Sequence, residues 1–204
     1  MKAILAVVGL LVLAVAVYVF LQWRAIQQAA TGPAKEIVSE SITKTGDTWH
    51  LAFVSKFDAP IDKVYEIYSH PERSQQLAPE NILKADVVQE NGNTKVIDQV
   101  GKLDILPPGF KVQNIRSEYT VYPDEHRMTV KTIGFKLADI SSDYKFEPGP
   151  DGKSTLLKFT QTSVDHSQLV DSLQKGALRE QYLLTVRAVN RALGLSPADK
   201  RQAD

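Results

Sequence analysis

Cysteine is absent from this chain of 204 residues. Its absence excludes a disulfide scaffold, a thiol nucleophile, thiolate zinc sites and iron–sulfur ligation. Excess charge of either sign is absent too, with 24 Lys and Arg against 24 Asp and Glu. Neutralising a phosphate backbone takes a basic face, so nucleic acid is not an expected partner. Histidine is scarce. His50, His70, His126 and His166 fall in a strand's polar phase, before a proline, after a turn and before a helix. HxH, HExxH and two-histidine-one-carboxylate spacings do not occur, so neither a metal nor another cofactor is expected. Internal repeats and low-complexity tracts are missing as well.

Apolar residues are plentiful but unevenly placed. From Ala3 to Leu21, eighteen of nineteen residues are hydrophobic, broken only by Gly9. At ~1.5 Å per residue such a helix reaches about 28 Å, close to the thickness of a bilayer's hydrocarbon core. The run is long for a cleavable signal, and Trp23, Arg24, Gln27 and Gln28 spoil a small-x-small cleavage site. An uncleaved single-pass anchor over residues 1–24 is therefore expected, rather than a signal peptide or a core helix. The short positive N-tail leans towards an inside N-terminus, with the domain outside the cytoplasm. Residues 25–46 read as a polar tether within which a first strand could begin at 36–43. Residues 47–195 read as the folded domain and 196–204 as a polar tail.

Within that domain Thr48 to Phe57 alternates as a half-buried strand. Pro60 suits the first turn of a helix carrying Ile61, Val64, Tyr65 and Tyr68, and His70-Pro71 ends it. Asn91-Gly92 is a hairpin signal. Pro107-Pro108-Gly109, Pro123-Asp124 and the segment 148–152 punctuate further strands rich in β-branched and aromatic residues. Ser167 is read as the cap of a long helix reaching about Leu193. Its stripe is Leu169, Leu173, Ala177, Leu184 and Ala188, with Lys175, Arg179, Arg187 and Arg191 facing away. The class is α+β: a seven-stranded antiparallel sheet curved around one C-terminal helix, plus the transmembrane helix. One helix cannot fill a wide concave sheet at native density, so a cavity is expected between them.

The junction Phe57-Asp58-Ala59-Pro60-Ile61-Asp62-Lys63-Val64-Tyr65, then His70-Pro71-Glu72-Arg73, the strand Gly152–Gln161 and the helix Leu178–Leu193 together resemble the START-like, or SRPBCC, helix-grip superfamily. The resemblance is to its polyketide cyclase/dehydrase and lipid-transport group, and it spans residues 47–194. It implies a deep apolar cavity for lipids, sterols, polyketides or similar small molecules. An added membrane anchor departs from the simplest members and favours lipid handling.

Two apparent chemical motifs dissolve on inspection. Gly152-Lys153-Ser154 lacks the first P-loop glycine, replaced by Glu147, and Pro148 and Pro150 interrupt it. Asp165-His166-Ser167 is contiguous, whereas a triad's side chains converge from separate segments. Strand phase supplies cavity candidates instead: Tyr119, Met128 and Val130, then Ser142, Tyr144 and Phe146, then Leu157, Phe159 and Gln161. The helix adds Leu173, Ala177 and Leu184. Ser142 and Gln161 either orient a ligand's polar head or satisfy each other. Leu103, Ile105, Leu106 and Phe110, with Phe135, are candidate gate residues in apolar loops. The expected function is membrane-tethered binding or transfer of a hydrophobic small molecule. The alternatives are a cyclase-type enzyme using Tyr144, Gln161 or a carboxylate, and a non-catalytic module of a membrane complex.

Overall fold

The computed structural model describes residues 31–103 and 112–195, together with Val17, Leu21, Arg24 and Gln28. Eight antiparallel strands form one sheet in the order β1-β2-β8-β7-β6-β5-β4-β3. They are β1 (Ile37–Thr45), β2 (Thr48–Phe57), β3 (Ile82–Asn91), β4 (Thr94–Lys102), β5 (Val112–Tyr122), β6 (Arg127–Gly134), β7 (Ala138–Pro148) and β8 (Thr155–Asp165). Between β2 and β3 lie α1 (Ile61–Tyr68), a 3-10 turn at Pro71–Arg73 and the single-turn α2 (Ser74–Leu77). The long helix α3 (Asp171–Ala192) follows β8. This is the helix-grip arrangement.

The sheet has eight strands rather than seven. The additional one, β1, occupies residues expected as tether and pairs with β2 from Ile37↔Ser55 to Thr45↔Thr48. Its exposure hid it from hydrophobic patterning, because only one face meets protein. Ion pairs from that face grip α3: Lys44 Nζ lies 2.6 Å from Asp171, and Arg179 Nε donates to Glu40 at 2.8 Å. Arg179 was expected in solvent, yet its side chain is 4% exposed because β1 covers it.

Local chemistry explains the boundaries. Pro60 sits at φ −59, ψ 148 and its carbonyl accepts the Val64 N–H at 3.3 Å, so α1 begins just after it. The β3–β4 hairpin turns on Gly92 (φ +57) and Asn93, with Asn91 paired to Thr94. The left-handed conformation there suits glycine. Ser167 does not cap α3. The N-cap is Val170, without a side-chain hydrogen bond, while Ser167 Oγ donates to Asp165 at 2.6 Å.

Among the described residues, no helix is long and apolar enough to cross a membrane. The expected anchor, residues 3–21, lies outside them apart from Val17 and Leu21, as does the polar tail 196–204.

Candidate ligand-binding cavity

Alternation along β2, β7 and β8 turns Phe53, Phe57, Phe146, Leu157 and Phe159 inward, where α1 and α3 bury them. The aromatic rings interlock. Phe53 stacks on Tyr182 at 4.2 Å, Tyr144 meets Phe159 edge-on at 4.7 Å, and Tyr68 lies 5.0 Å from Phe146. Beyond this cluster the sandwich stays open. A cavity of about 310 Å³ lies between the inner face of β4–β8 and α3, with α1 and α2 at its side. That is the size at which small-molecule sites begin. Tyr68, Tyr144, Met128, Trp49 and Val189 belong both to the packed cluster and to the cavity wall.

Of the sequence candidates, Tyr119, Met128, Tyr144, Ala177 and Leu184 line the cavity. Phe146, Leu157, Phe159 and Leu173 are buried in the neighbouring packing instead. Val130 packs against that cluster. Ser142 and Gln161 do not line the cavity; Ser142 Oγ donates to Gln161 Oε1 at 3.1 Å, so the pair satisfies itself. Leu103 and Phe135 are in the wall. Ile105, Leu106 and Phe110 lie outside the described residues. Sequence reading missed the contribution of the α1–α2 segment, namely Ile67, Leu77, Ala78 and Asn81, and of Gln99 on β4. The alternation of Ile97, Gln99 and Gly101 was the available signal for Gln99.

Polar groups at the wall are mostly engaged. Trp49 Nε1 donates to Gln174 Oε1 at 2.8 Å, and Gln174 Nε2 donates to Asp165 at 2.6 Å. Burial raises the Asp165 pKa, but hydrogen bonds from Ser167 and Gln174 outweigh it and leave the carboxyl below its usual range. Asp165 therefore holds Ser167, while His166 faces Asp139 at 3.0 Å. No triad forms. His70 Nδ1 is 2.9 Å from Glu72 Oε1.

The tyrosines divide. Tyr119 donates to Gln99 at 2.9 Å and Gln99 donates to Ser74 at 2.9 Å. The Tyr182 hydroxyl shares a 2.8 Å hydrogen bond with Ser55. The buried Tyr68 hydroxyl has no partner, nor does that of Tyr144 among the described residues. An unsatisfied buried polar group costs about 1–3 kcal/mol. Burial pushes all four phenols, Tyr68, Tyr119, Tyr144 and Tyr182, above their usual range, Tyr119 to about 12. At neutral pH these hydroxyls are protonated donors and cannot serve as bases. Groups of three or more candidate metal ligands are absent among the described residues.

Sheet, gripped helix and hollow between them define a helix-grip fold with a small-molecule-sized cavity. Comparison with protein-family models gives no match, and comparison with curated protein sequences gives none. Solved structures do share the fold. An aromatase/cyclase, Zhui, from Streptomyces sp. R1128 superposes with a TM-score of 0.57 at 13% identity, over 72% of this chain and 94% of its own. A START superfamily protein from Mycobacterium smegmatis gives 0.59 at 14% identity, over 72% and 99%. The di-domain aromatase/cyclase BexL of the BE-7585A biosynthetic pathway gives 0.60 at 14%, over 76% of this chain and 52% of its own. At such identities the likeness establishes the fold and leaves function to the site.

Proposed function

We propose that this protein binds a hydrophobic small molecule between its sheet and C-terminal helix and carries it without chemical change. The observation that carries the reading is the cavity of about 310 Å³ in a sandwich whose other end is close-packed. Interiors normally pack to crystal-like density, so a void of this size beside an interlocked aromatic cluster is a built feature. Burial of an apolar ligand there gains ~25 cal/mol per Å² of surface removed from water. A cyclase-type enzyme would need a proton acceptor facing the substrate. The wall phenols are held protonated, and Asp165 is engaged by Ser167 and Gln174. Those contacts favour the carrier.

The apolar run 3–21 supports a tether that keeps the domain at a bilayer surface, outside the cytoplasm, where apolar ligands are concentrated. Two experiments test these parts. Organic extraction and mass spectrometry of the purified full chain should release one apolar compound in near-stoichiometric amount; only bulk lipid in the proportions of the host membrane would refute the carrier. Intact protein should keep Met1 or Lys2 and resist carbonate extraction, whereas a mature N-terminus near Ala29–Thr31 would refute the anchor.

A further inference from the structure

Resting on the cavity reading above, we propose that the ligand carries an uncharged oxygen acceptor, a ketone, ester or alcohol, bound by the hydroxyls of Tyr68 and Tyr144. The fold satisfies the other phenols of this region. Tyr119 has Gln99, Tyr182 has Ser55, and Tyr65 donates to the Arg127 carbonyl at 3.2 Å. The Tyr68 hydroxyl is buried with no acceptor, Tyr144, a wall residue, makes no hydrogen bond through its hydroxyl among the described residues, and the two rings lie 5.8 Å apart where the packed cluster meets the cavity. Buried donors in native proteins are almost always paired, so the unpaired Tyr68 hydroxyl, with Tyr144 beside it at the cavity wall, points to an acceptor that arrives with the ligand.

Charge at this end of the cavity narrows the class. The rings touching Tyr68 and Tyr144 are Phe57, Phe146 and Phe159. No cation stands among them to replace the hydration of a carboxylate or phosphate, and an ionised group buried there would be strongly disfavoured. Of the ionisable wall residues, His70 is bonded to Glu72 and Asp165 to Ser167 and Gln174. Lys102 lies at the end of β4, three strands away from the β7 that carries Tyr144. An uncharged acceptor meets the donors without that penalty. It also separates this site from one that holds any apolar molecule of suitable size.

The test uses the full chain with Trp23→Phe, which leaves Trp49 in the cavity wall as the sole tryptophan. Pyrene, acetylpyrene and pyrenecarboxylate are titrated against Trp49 emission, in this background and with Tyr68→Phe/Tyr144→Phe added. Acetylpyrene should bind roughly tenfold tighter than pyrene, and the preference should vanish in the double variant while pyrene affinity stays unchanged. Pyrenecarboxylate should bind most weakly. An unchanged acetylpyrene preference in the double variant, or tightest binding of the carboxylate, overturns the proposal and leaves the apolar cavity standing. Failure of all three probes to quench Trp49 overturns both. The ligand-free unfolding midpoint supplies a second readout. It should hold or rise in the double variant, because removing unpaired hydroxyls relieves their burial; a fall would show that the hydroxyls serve the fold and would overturn the assignment.

Discussion

At one end of the sandwich β2, β7 and β8 close on α1 and α3 through Phe53, Phe57, Leu157, Phe159 and Tyr182, all nearly inaccessible. At the other end β3, β4 and β5 extend past the helix; β3 is exposed along most of its length, and Leu83, Val87 and Val88 reach solvent. The helix differs towards the two ends as well. It sets Tyr182, Val186 and Val189 into the packed cluster, but lines the cavity with small Ala177 and Ala188 beside Leu184. The sheet is continuous across both regions, so the cavity arises from side-chain size and from where the helix lies. Packing is concentrated where β2, β7 and β8 meet α1, and the binding capacity lies beside it, over β4–β8 under α3.

Truncation should expose this difference most strongly. Phe159→Ala, inside the interlocked rings, should cost about 3–5 kcal/mol in denaturant unfolding. Leu184→Ala, which already faces empty space, should cost only about 1 kcal/mol. Comparable losses would mean that the hollow end is closed in solution. High pH gives the next largest effect. The unfolded chain's tyrosines ionise near pH ~10, whereas the folded phenols have raised pKa values, with Tyr119 at about 12. Their contribution is therefore complete below about pH 10 and is lost as pH rises through the folded values. Urea midpoints should decline above about pH 10, and less steeply with Tyr68→Phe/Tyr144→Phe.

Smaller effects test the edges of the sheet. Glu40→Ala removes the carboxylate from the buried Arg179 and should cost about 1–2 kcal/mol, with faster hydrogen exchange along β1. No change in β1 exchange would deny that strand its part in gripping α3. Arg116→Ala breaks an exposed pair with Asp98 and should alter the unfolding midpoint by less than about 0.5 kcal/mol.

The strands from β2 onwards, the proline at α1 and the long helix were legible because each carries a strong local signal: alternation, a fixed φ, or a stripe ended by Gly194. β1 was only half legible, a first strand at 36–43 being one reading of the tether, since only Ile37 and Ile42 pack on the core while Glu40 and Lys44 meet α3 through ion pairs. The cap of α3 was misplaced because Ser167 binds Asp165 and starts a turn before the helix. Strand phase correctly turned Tyr144, Phe146, Leu157 and Phe159 to one face. It could not say which of them border empty space, because that depends on how far the helix extends over the sheet. For the same reason Ser142 and Gln161 were inseparable in sequence from ligand contacts, and Asn81 and Gln99 went unnoticed.

The most direct test of the hollow end fills it from the helix. Ala177→Trp places an indole in the cavity while leaving the packed cluster untouched. Pyrene titration of the full chain should then show saturable binding to the parent protein and none to the variant, with unfolding midpoints that agree within about 1 kcal/mol. Equal pyrene binding by the two proteins would contradict the account, because the apolar molecule would then sit somewhere other than between the sheet and its helix.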